Sequence, residues 1–280
     1  MIVFLNGEFV PEAEAVVSVF DRGLLYGDGL FETIRIANGK PFRWDQHEQR
    51  LRQGAEFLGI RISPSSAELR EAAIKLVGQN KLANALLRVL LTRATGPRGY
   101  SPRGADTPTL AMSLHPAVAP TAEPSGWHLL TSRVRLSAHE PLANFKTCNK
   151  LAQIVARAEA DSAEANEALL LNTDGWVVEG ASSNLFWIEA GKIHTPPQAA
   201  GILPGVTRAV IKELCASAQL EFHESETTAQ RLSSCDGLFL SLSSAGVVEG
   251  ITLDGVQLRR SPIAQSLHSA YWELLESECG

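Results

Sequence analysis

The sequence predicts a mixed α/β (α+β) fold in two domains. With 280 residues, 45% of them hydrophobic, the chain is long enough for one large or two medium packed cores. Segments of alternating hydrophobicity, typical of strands, occur beside segments whose apolar residues recur every three or four positions, typical of helices. A stretch rich in proline and small residues, 115–126, separates two such sets. We therefore expect a smaller N-terminal α/β domain over 1–118, an interdomain linker over 119–126 and a larger C-terminal domain over 127–280.

The N-terminal domain is expected to begin with a hairpin and to contain two helices. An Asn6-Gly7 turn between two short extended runs is typical of a hairpin. Apolar spacing predicts helices from Trp44 to Leu58, with Asp45 as the N-cap, and from Ser66 to Gln79. Predicted strands cover residues 31–36, 85–93 and 107–114.

The C-terminal domain is expected to combine a β-meander with three helices. Its first helical segment opens at Lys146 and places Leu151, Ile154 and Val155 on one face. Later helices are predicted over 206–218 and 263–276. Predicted strands cover residues 127–135, 168–171, 176–178, 184–188, 192–195, 238–242 and 256–258. We expect this domain to carry Lys146.

Composition and charge exclude several classes of function. The net charge of −6 gives no basic surface for a polyanion, so we expect no nucleic-acid partner. No apolar run approaches the length of a membrane span, so we expect no membrane association. The cysteines, Cys148, Cys215, Cys235 and Cys279, have no CxxC spacing, which favours a reduced cytoplasmic protein without disulfides or a zinc site.

Lys146 and Glu179 are the two residues that most suggest chemistry. Lys146 follows an apolar loop that contains a proline, 141–145. Glu179 ends a predicted strand, and a loop of small residues, 180–183, follows it. A pyridoxal phosphate enzyme needs an amine for the Schiff base and an acid for the pyridine nitrogen, and this pair provides both.

A phosphate site is predicted independently of the lysine. Gly205 precedes Val206 and Thr207 at the start of a predicted helix, where backbone N–H groups and the helix dipole favour an anion. Ser243 follows another predicted strand and offers a hydroxyl. Arg50 offers a guanidinium that can bind an anion through two nitrogens.

Several motifs carry a resemblance to a known family. They follow one another in the order Tyr26-Gly-Asp-Gly-Leu-Phe-Glu32, His47-x-x-Arg50-Leu51, Lys146, Glu179-Gly180, Asn184-Leu-Phe186, Gly201-Ile-Leu-x-Gly-Val-Thr-Arg208 and Ser243. Over nearly the whole chain the sequence resembles the class IV aminotransferases and lyases, which are pyridoxal phosphate enzymes of fold type IV with a D-amino acid aminotransferase-like architecture. The resemblance implies two α/β domains with the cofactor between them, a small amino-acid-like substrate, and a homodimer whose partner helps complete each site.

The resemblance also implies roles for individual residues. Lys146 would form the Schiff base and move the proton, and Glu179 would pair with the pyridine nitrogen. The phosphate would be held by Arg50, Val206, Thr207 and Ser243, and the two ring faces by Leu203 and Ser182. Candidates for contact with the substrate are Arg35, Arg98, Phe31, Tyr100 and Tyr26.

Three activities of this family remain open from the sequence. The run from Thr92 to Tyr100 looks most like the 4-amino-4-deoxychorismate lyases, which release pyruvate and 4-aminobenzoate for folate synthesis. Arg98 also matches a carboxylate-binding arginine of D-amino acid aminotransferases. The proline at 204 is closer to branched-chain aminotransferases. We expect the lyase, with either aminotransferase as the alternative and a non-catalytic cofactor-binding protein as the second alternative.

Overall fold

The computed structural model describes residues 1–117 and 119–280. Contacts divide the chain into two compact units. The first consists of Met1–Val118, Phe145–Asn149 and Leu275–Gly280, and the second of Ala119–Asn144 and Lys150–Leu274. Lys146 therefore belongs to the N-terminal unit, and our assignment of this lysine to the C-terminal domain was wrong. In the described residues no helix is both long and apolar enough to cross a membrane.

The first unit is built on a six-stranded antiparallel sheet in the order β2-β1-β6-β5-β3-β4. Its strands are β1 Ile2–Leu5, β2 Glu8–Pro11, β3 Gly29–Ala37, β4 Lys40–Pro41, β5 Ala85–Thr92 and β6 Thr109–Pro116. Its helices are α1 Arg22–Tyr26, α2 Trp44–Leu58 and α3 Ser66–Asn80. Apolar residues of alternate sheet positions, such as Ile34 and Leu87, pack with residues of α2 and α3 into one core.

Capping residues determine where the helices of this unit begin and end. A capping box begins α3, because the Ser65 side chain and Glu68 satisfy each other's backbone N–H groups. Gly59, at φ 66°, ends α2 in the left-handed conformation that glycine adopts readily. The predicted bounds of α2 are confirmed, but its N-cap position is Arg43, and Asp45 lies in the first turn.

The second unit contains a nine-stranded mixed sheet in the order β12-β11-β10-β13-β14-β7-β8-β9, with β15 on β14. Its strands are β7 Gly126–Leu136, β8 Glu167–Asn172, β9 Val177–Gly180, β10 Asn184–Glu189, β11 Lys192–Thr195, β12 Phe222–Glu224, β13 Gly237–Leu242, β14 Gly246–Leu253 and β15 Val256–Gln257. Its helices are α4 Leu151–Ser162, α5 Val206–Ser217, α6 Ala229–Leu232 and α7 Pro262–Cys279, of which residues 275–279 are grouped with the first unit. Because β9 also pairs with β10, through Glu179 and Asn184, the sheet closes on itself.

The region from Lys146 onward differs from the sequence expectations in three places. Helix α4 begins at Leu151, so Lys146 lies before the helix, in a segment without regular secondary structure. The face of α4 that carries Leu151 and Ile154 is exposed, at 67% and 62%, because small residues of another face, Ala156 and Ala160, are the buried ones. Strand β14 was missed; its polar Glu249 and glycines interrupt the apolar alternation, although Glu249 is buried.

Candidate active site

Lys146 lies in a short segment that runs beside β3 in the first unit. The backbone N–H of Phe31 donates to Lys146 O at 2.9 Å, and Cys148 N donates to Gly29 O at 2.9 Å. Phe145 anchors the segment, because its ring lies 4.6 Å from that of Phe57 and packs against the core of the first unit. These contacts and an isolated antiparallel bridge between Thr147 and Leu30 fix the backbone that carries the lysine.

The side chain of Lys146 meets an aromatic ring with a second cation beside it. Lys146 Nζ lies 4.8 Å from the centre of the Phe31 ring, and the guanidinium carbon of Arg88 lies 3.5 Å from the same centre. Arg88 Nη1 also donates to Thr33 Oγ1 at 3.5 Å. Partial burial lowers the pKa of Arg88. Within the described part of the chain, no carboxylate forms a salt bridge with this arginine.

Strand alternation places a second arginine on the same side of the sheet. Phe31, Thr33 and Arg35 occupy alternate positions of β3, and Thr33 pairs directly with Arg88 of β5. Arg35 is only 2% exposed, whereas Arg88 is half-buried. The face against which Lys146 lies thus carries two arginines, of which Arg88 is the more accessible.

The opposite face of β3 carries a buried charged triad. Glu32, 1% exposed, accepts from Arg50 Nε at 2.8 Å and Nη2 at 2.7 Å, and its Oε2 lies 2.7 Å from His47 Nδ1. Burial would raise the pKa of Glu32, but the Arg50 charge and the hydrogen bonds more than offset it and lower this pKa to about 2. Burial lowers the pKa of His47, and the charges of Arg50 and Lys146 act in the same direction. Glu32 thus holds Arg50 in one orientation, and the phosphate role of Arg50 stays a prediction.

Arg98 and Tyr100 lie on an exposed loop of the first unit, with Tyr100 at 86% exposure. The Tyr100 ring meets that of Tyr26 edge-on at 5.6 Å between centres. Tyr26 Oη also accepts from Gly99 N at 3.4 Å. Two predicted substrate residues, Tyr26 and Tyr100, are thereby brought together.

Arg22 ties this loop to the body of the unit. Its Nη1 and Nη2 donate to the carbonyl oxygens of Gly99 at 2.8 Å and Tyr100 at 3.1 Å. Its Nε donates to Asp28 Oδ2 at 2.8 Å, and Arg93 Nε donates to the same oxygen at 2.8 Å. The backbone of the loop is therefore fixed even where its side chains are exposed.

In the second unit, Glu179 and Leu203 are joined directly. Glu179, at the end of β9, accepts from Leu203 N through Oε2 at 3.0 Å. Asn184, the first residue of β10, donates from Nδ2 to Leu203 O at 2.9 Å. Both backbone polar groups of Leu203 are thus bound by side chains from the point where β9 pairs with β10.

The start of α5 has the features of an anion site. Its N-cap, Gly205, makes no side-chain capping bond, and Val206 and Thr207 form the first turn. A Cβ at position 205 would lie 1.9 Å from Asn184 Oδ1, so the backbone approaches Asn184 as only glycine allows. The N–H groups of such a turn, together with the helix dipole, favour negative charge.

The two remaining predicted residues of this unit lie in turns. Ser243 lies half-buried in the turn between β13 and β14. Ser182 lies exposed in the loop between β9 and β10. The sequence analysis missed Arg88 and the buried carboxylate of Glu167. Arg88 could have been noticed as a charged residue within the apolar run 85–92, and Glu167 as a charged residue beside the apolar run 168–171.

Comparisons with known proteins show similarity to one family over nearly the whole chain. A family model described as amino-transferase class IV matches residues 29–250. D-alanine aminotransferase of Bacillus licheniformis is 31% identical over 282 residues, covering 99% of this chain and 98% of that protein. The T.th. branched-chain amino acid aminotransferase, solved with pyridoxamine 5'-phosphate, matches with a TM-score of 0.92 and 27% identity over 99% of this chain and 94% of that one. A Legionella pneumophila structure, provisionally named 4-amino-4-deoxychorismate lyase, matches with a TM-score of 0.86 and 29% identity over 95% of this chain and 97% of that one.

Proposed function

Because the chain belongs to the class IV aminotransferase family, whose members are enzymes that use pyridoxal 5'-phosphate, we propose that it is a 4-amino-4-deoxychorismate lyase. The observation that supports this activity best is the pair of arginines on the face where Lys146 lies. The substrate of this lyase is a dicarboxylate, and a guanidinium presents a planar fork of donors to a carboxylate. Arg88 and Arg35 would bind its two carboxylates, with Arg98 as a further candidate.

The residues present fit the cofactor. Lys146 has a fixed backbone and an aromatic neighbour, Glu179 is held by a backbone N–H, and α5 begins without a side-chain cap. We propose that the amine of Lys146 holds the cofactor aldehyde carbon and that Glu179 pairs with the pyridine nitrogen. The phosphate would be bound by Arg50, Val206, Thr207 and Ser243, and the ring would be contacted by Leu203 and Ser182.

The proposed chemistry needs one mobile proton and one leaving group. The bound cofactor supplies an electron sink for negative charge on the substrate carbon that carries the amine. Lys146 Nζ, released when the substrate amine takes its place, would remove the proton from that carbon as a general base. The bond between the ring and the enolpyruvyl oxygen then breaks, the released enolate takes up a proton to give pyruvate, and the ring becomes aromatic 4-aminobenzoate.

An aminotransferase is the second candidate. It is favoured by the relatives named D-alanine aminotransferase and by the branched-chain aminotransferase structures. A simple amino acid needs one cation for its α-carboxylate, which Arg88 or Arg98 would supply. Lys146 would then return the proton it removed, and no group would leave. We set aside the non-catalytic alternative, because these relatives are named as enzymes.

We also propose a cytoplasmic homodimer. Exposed apolar side chains of the first unit cluster in the segment 16–25, including Val16 at 77%, Phe20 at 67% and Leu24 at 67%. Exposed apolar groups at this density are typical of an interface between chains. The scattered cysteines suit a reducing compartment. Light scattering at micromolar concentration tests the oligomer, and a monomeric mass would contradict it.

One comparison of substrates tests the proposed reaction. The purified holoenzyme is offered 4-amino-4-deoxychorismate alone and, separately, D-alanine or L-leucine with 2-oxoglutarate. We expect formation of 4-aminobenzoate and pyruvate with the highest kcat/KM for the first substrate. Faster turnover of D-alanine or L-leucine would replace the lyase with the corresponding aminotransferase.

A further inference from the structure

Glu167 is a fully buried carboxylate held by hydrogen bonds. The first residue of β8, it is 0% exposed, and within the described part of the chain it takes part in no salt bridge. Hydrogen-bond donors take the place of a cation. Ala168 N donates to Oε1 at 3.0 Å, and Oε2 accepts from Ser182 N at 3.1 Å, Ser182 Oγ at 2.6 Å and Ser183 Oγ at 3.1 Å. Four hydrogen bonds therefore hold the Glu167 carboxyl group in place.

The donors to Oε2 come from the loop that follows Glu179. This loop closes on itself, because Gly180 N donates to Ser183 O at 2.8 Å. It also wraps tightly around the carboxylate, since a Cβ at Gly180 would lie 2.2 Å from Ser183 Oγ and 3.1 Å from Glu167 Cγ. Glu167 therefore acts as the internal support of the loop between Glu179 and Asn184.

The two serines bound by Glu167 differ in accessibility. Ser183 is buried at 7% exposure, whereas Ser182 is exposed. A carboxylate can only accept, so the hydroxyl proton of each serine points toward Glu167. The exposed Oγ of Ser182 consequently presents lone pairs, and no proton, to any ligand that it meets.

We propose that Glu167 is a positioning residue that fixes the orientation of the Ser182 side chain beside the cofactor. This inference rests on the proposed contact between Ser182 and the cofactor ring. The proposed chemistry gives Glu167 no role. In this proposal Ser182 contacts the ligand, whereas Ser183 stabilises the loop. Without the carboxylate, the Ser182 hydroxyl would rotate and the loop would lose its support.

A double-mutant cycle tests the inference through cofactor binding instead of turnover. The dissociation constant for pyridoxal 5'-phosphate is measured by absorbance titration of the apoprotein for wild type, Ser182→Ala, Glu167→Ala and the double variant. We expect each single variant to bind about three- to tenfold more weakly, the loss expected for a neutral hydrogen bond. Because Glu167 acts through Ser182, the double variant should bind no more weakly than the weaker single variant.

Ser183→Ala is the matched control, because it removes a hydroxyl bound to the same oxygen but buried away from a ligand. It should lower the melting temperature of the apoprotein and leave the dissociation constant within about twofold of wild type. Should Glu167→Ala fail to fold, Glu167→Gln takes its place in the cycle, with a smaller effect of the same sign. Additive losses in the cycle, or equal affinity losses in Ser182→Ala and Ser183→Ala, would overturn the positioning role.

The outcome for wild type separates this inference from the proposed function. If wild type binds the cofactor tightly and the Glu167 and Ser182 variants bind it equally well, the role of Glu167 is overturned but the proposed function is not. Wild type without saturable binding overturns both. The absorption spectrum of the bound cofactor supplies a second readout, which we expect to shift in Ser182→Ala and Glu167→Ala and to stay at the wild-type position in Ser183→Ala.

Discussion

Replacement of Glu32 by glutamine should destabilise the first unit strongly at neutral pH. The substitution keeps the shape of the side chain and removes the charge that Arg50 and His47 contact. Arg50, only 8% exposed, would then be a buried cation without the carboxylate that binds two of its nitrogens. Breaking a buried ion pair in this way costs about 3–5 kcal/mol.

The pKa of Glu32 gives an independent magnitude and a pH window. Its lowering from 4.5 to about 2 corresponds to about 3 kcal/mol, at about 1.4 kcal/mol for each pKa unit. Because the folded-state pKa lies below the unfolded one, this stability is present above pH 4.5 and is lost as the pH falls toward 2. The lowered pKa of His47 adds a further loss on acidification below 6.5, since the unfolded chain binds that proton first.

Urea unfolding of the apoprotein, followed by circular dichroism at several pH values, measures the effect. We expect a difference between wild type and Glu32→Gln of about 3 kcal/mol at pH 7 that shrinks as the pH falls from 4.5. Hydrogen exchange of residues 44–58 locates the loss in α2. Glu48→Gln is the matched control on the same helix, because Glu48 pairs with Arg52, which is 35% exposed, and should lose no more than about 1 kcal/mol. A loss below about 1 kcal/mol for Glu32→Gln, or a difference that does not depend on pH, would refute the reasoning.

The other predictions concern the proposed chemistry. Lys146→Ala should abolish the visible absorbance of bound cofactor and almost all turnover. Lys150→Ala, four positions further along the chain, is the control and should keep both. If borohydride still attaches cofactor covalently to Lys146→Ala, the assignment of Lys146 is contradicted. Glu179→Gln should retain the cofactor but lower kcat, because a neutral amide cannot hold the pyridine proton by charge. A wild-type spectrum and kcat in this variant would show that Glu179 does not pair with the pyridine nitrogen. Arg88→Ala and Arg98→Ala should each lower kcat/KM for 4-amino-4-deoxychorismate about ten- to a hundredfold, from about 1.5–3 kcal/mol per charged hydrogen bond, with cofactor absorbance unchanged. Unaltered kcat/KM in Arg88→Ala would remove it from the substrate site.

Periodicity predicted most of the regular elements because their local chemistry agrees with their tertiary setting. Helix α2 was predicted with its observed bounds, since its apolar spacing and the glycine after it give the same answer as packing does. Strands such as β5 and β10 were found within one or two residues, because β5 alternates and β10 is continuously apolar between clear turns. The motifs also brought out Lys146 and Glu179 without any knowledge of contacts.

Long-range pairing accounts for what the sequence did not reveal. Lys146 was predicted to open a helix because apolar spacing follows it, yet backbone bonds to Gly29 and Phe31 hold its segment beside β3. Apolar spacing put Leu151 and Ile154 on one face of α4, but spacing alone does not tell a buried face from an exposed one. Glu167 could not be interpreted, because its partners lie fifteen and sixteen residues away, beyond a turn.

Strand register also decides which arginine faces the lysine. Arg88 lies 55 residues from Thr33 and 57 from Phe31 in sequence, and nothing in its neighbourhood marks it as more than a charge on a strand. The direct pairing of Arg88 with Thr33 puts it on the side of β3 that carries Phe31, whereas a shift of one residue would turn it toward α2 and α3. Arg88 is held by its own strand, but Arg98 depends on the contacts that Arg22 makes with its loop. If Arg88 binds a carboxylate, its position relative to Lys146 is therefore set by the sheet, and exchange of the loop around Arg98 should alter only the contacts that Arg98 makes and leave the Arg88 contact in place.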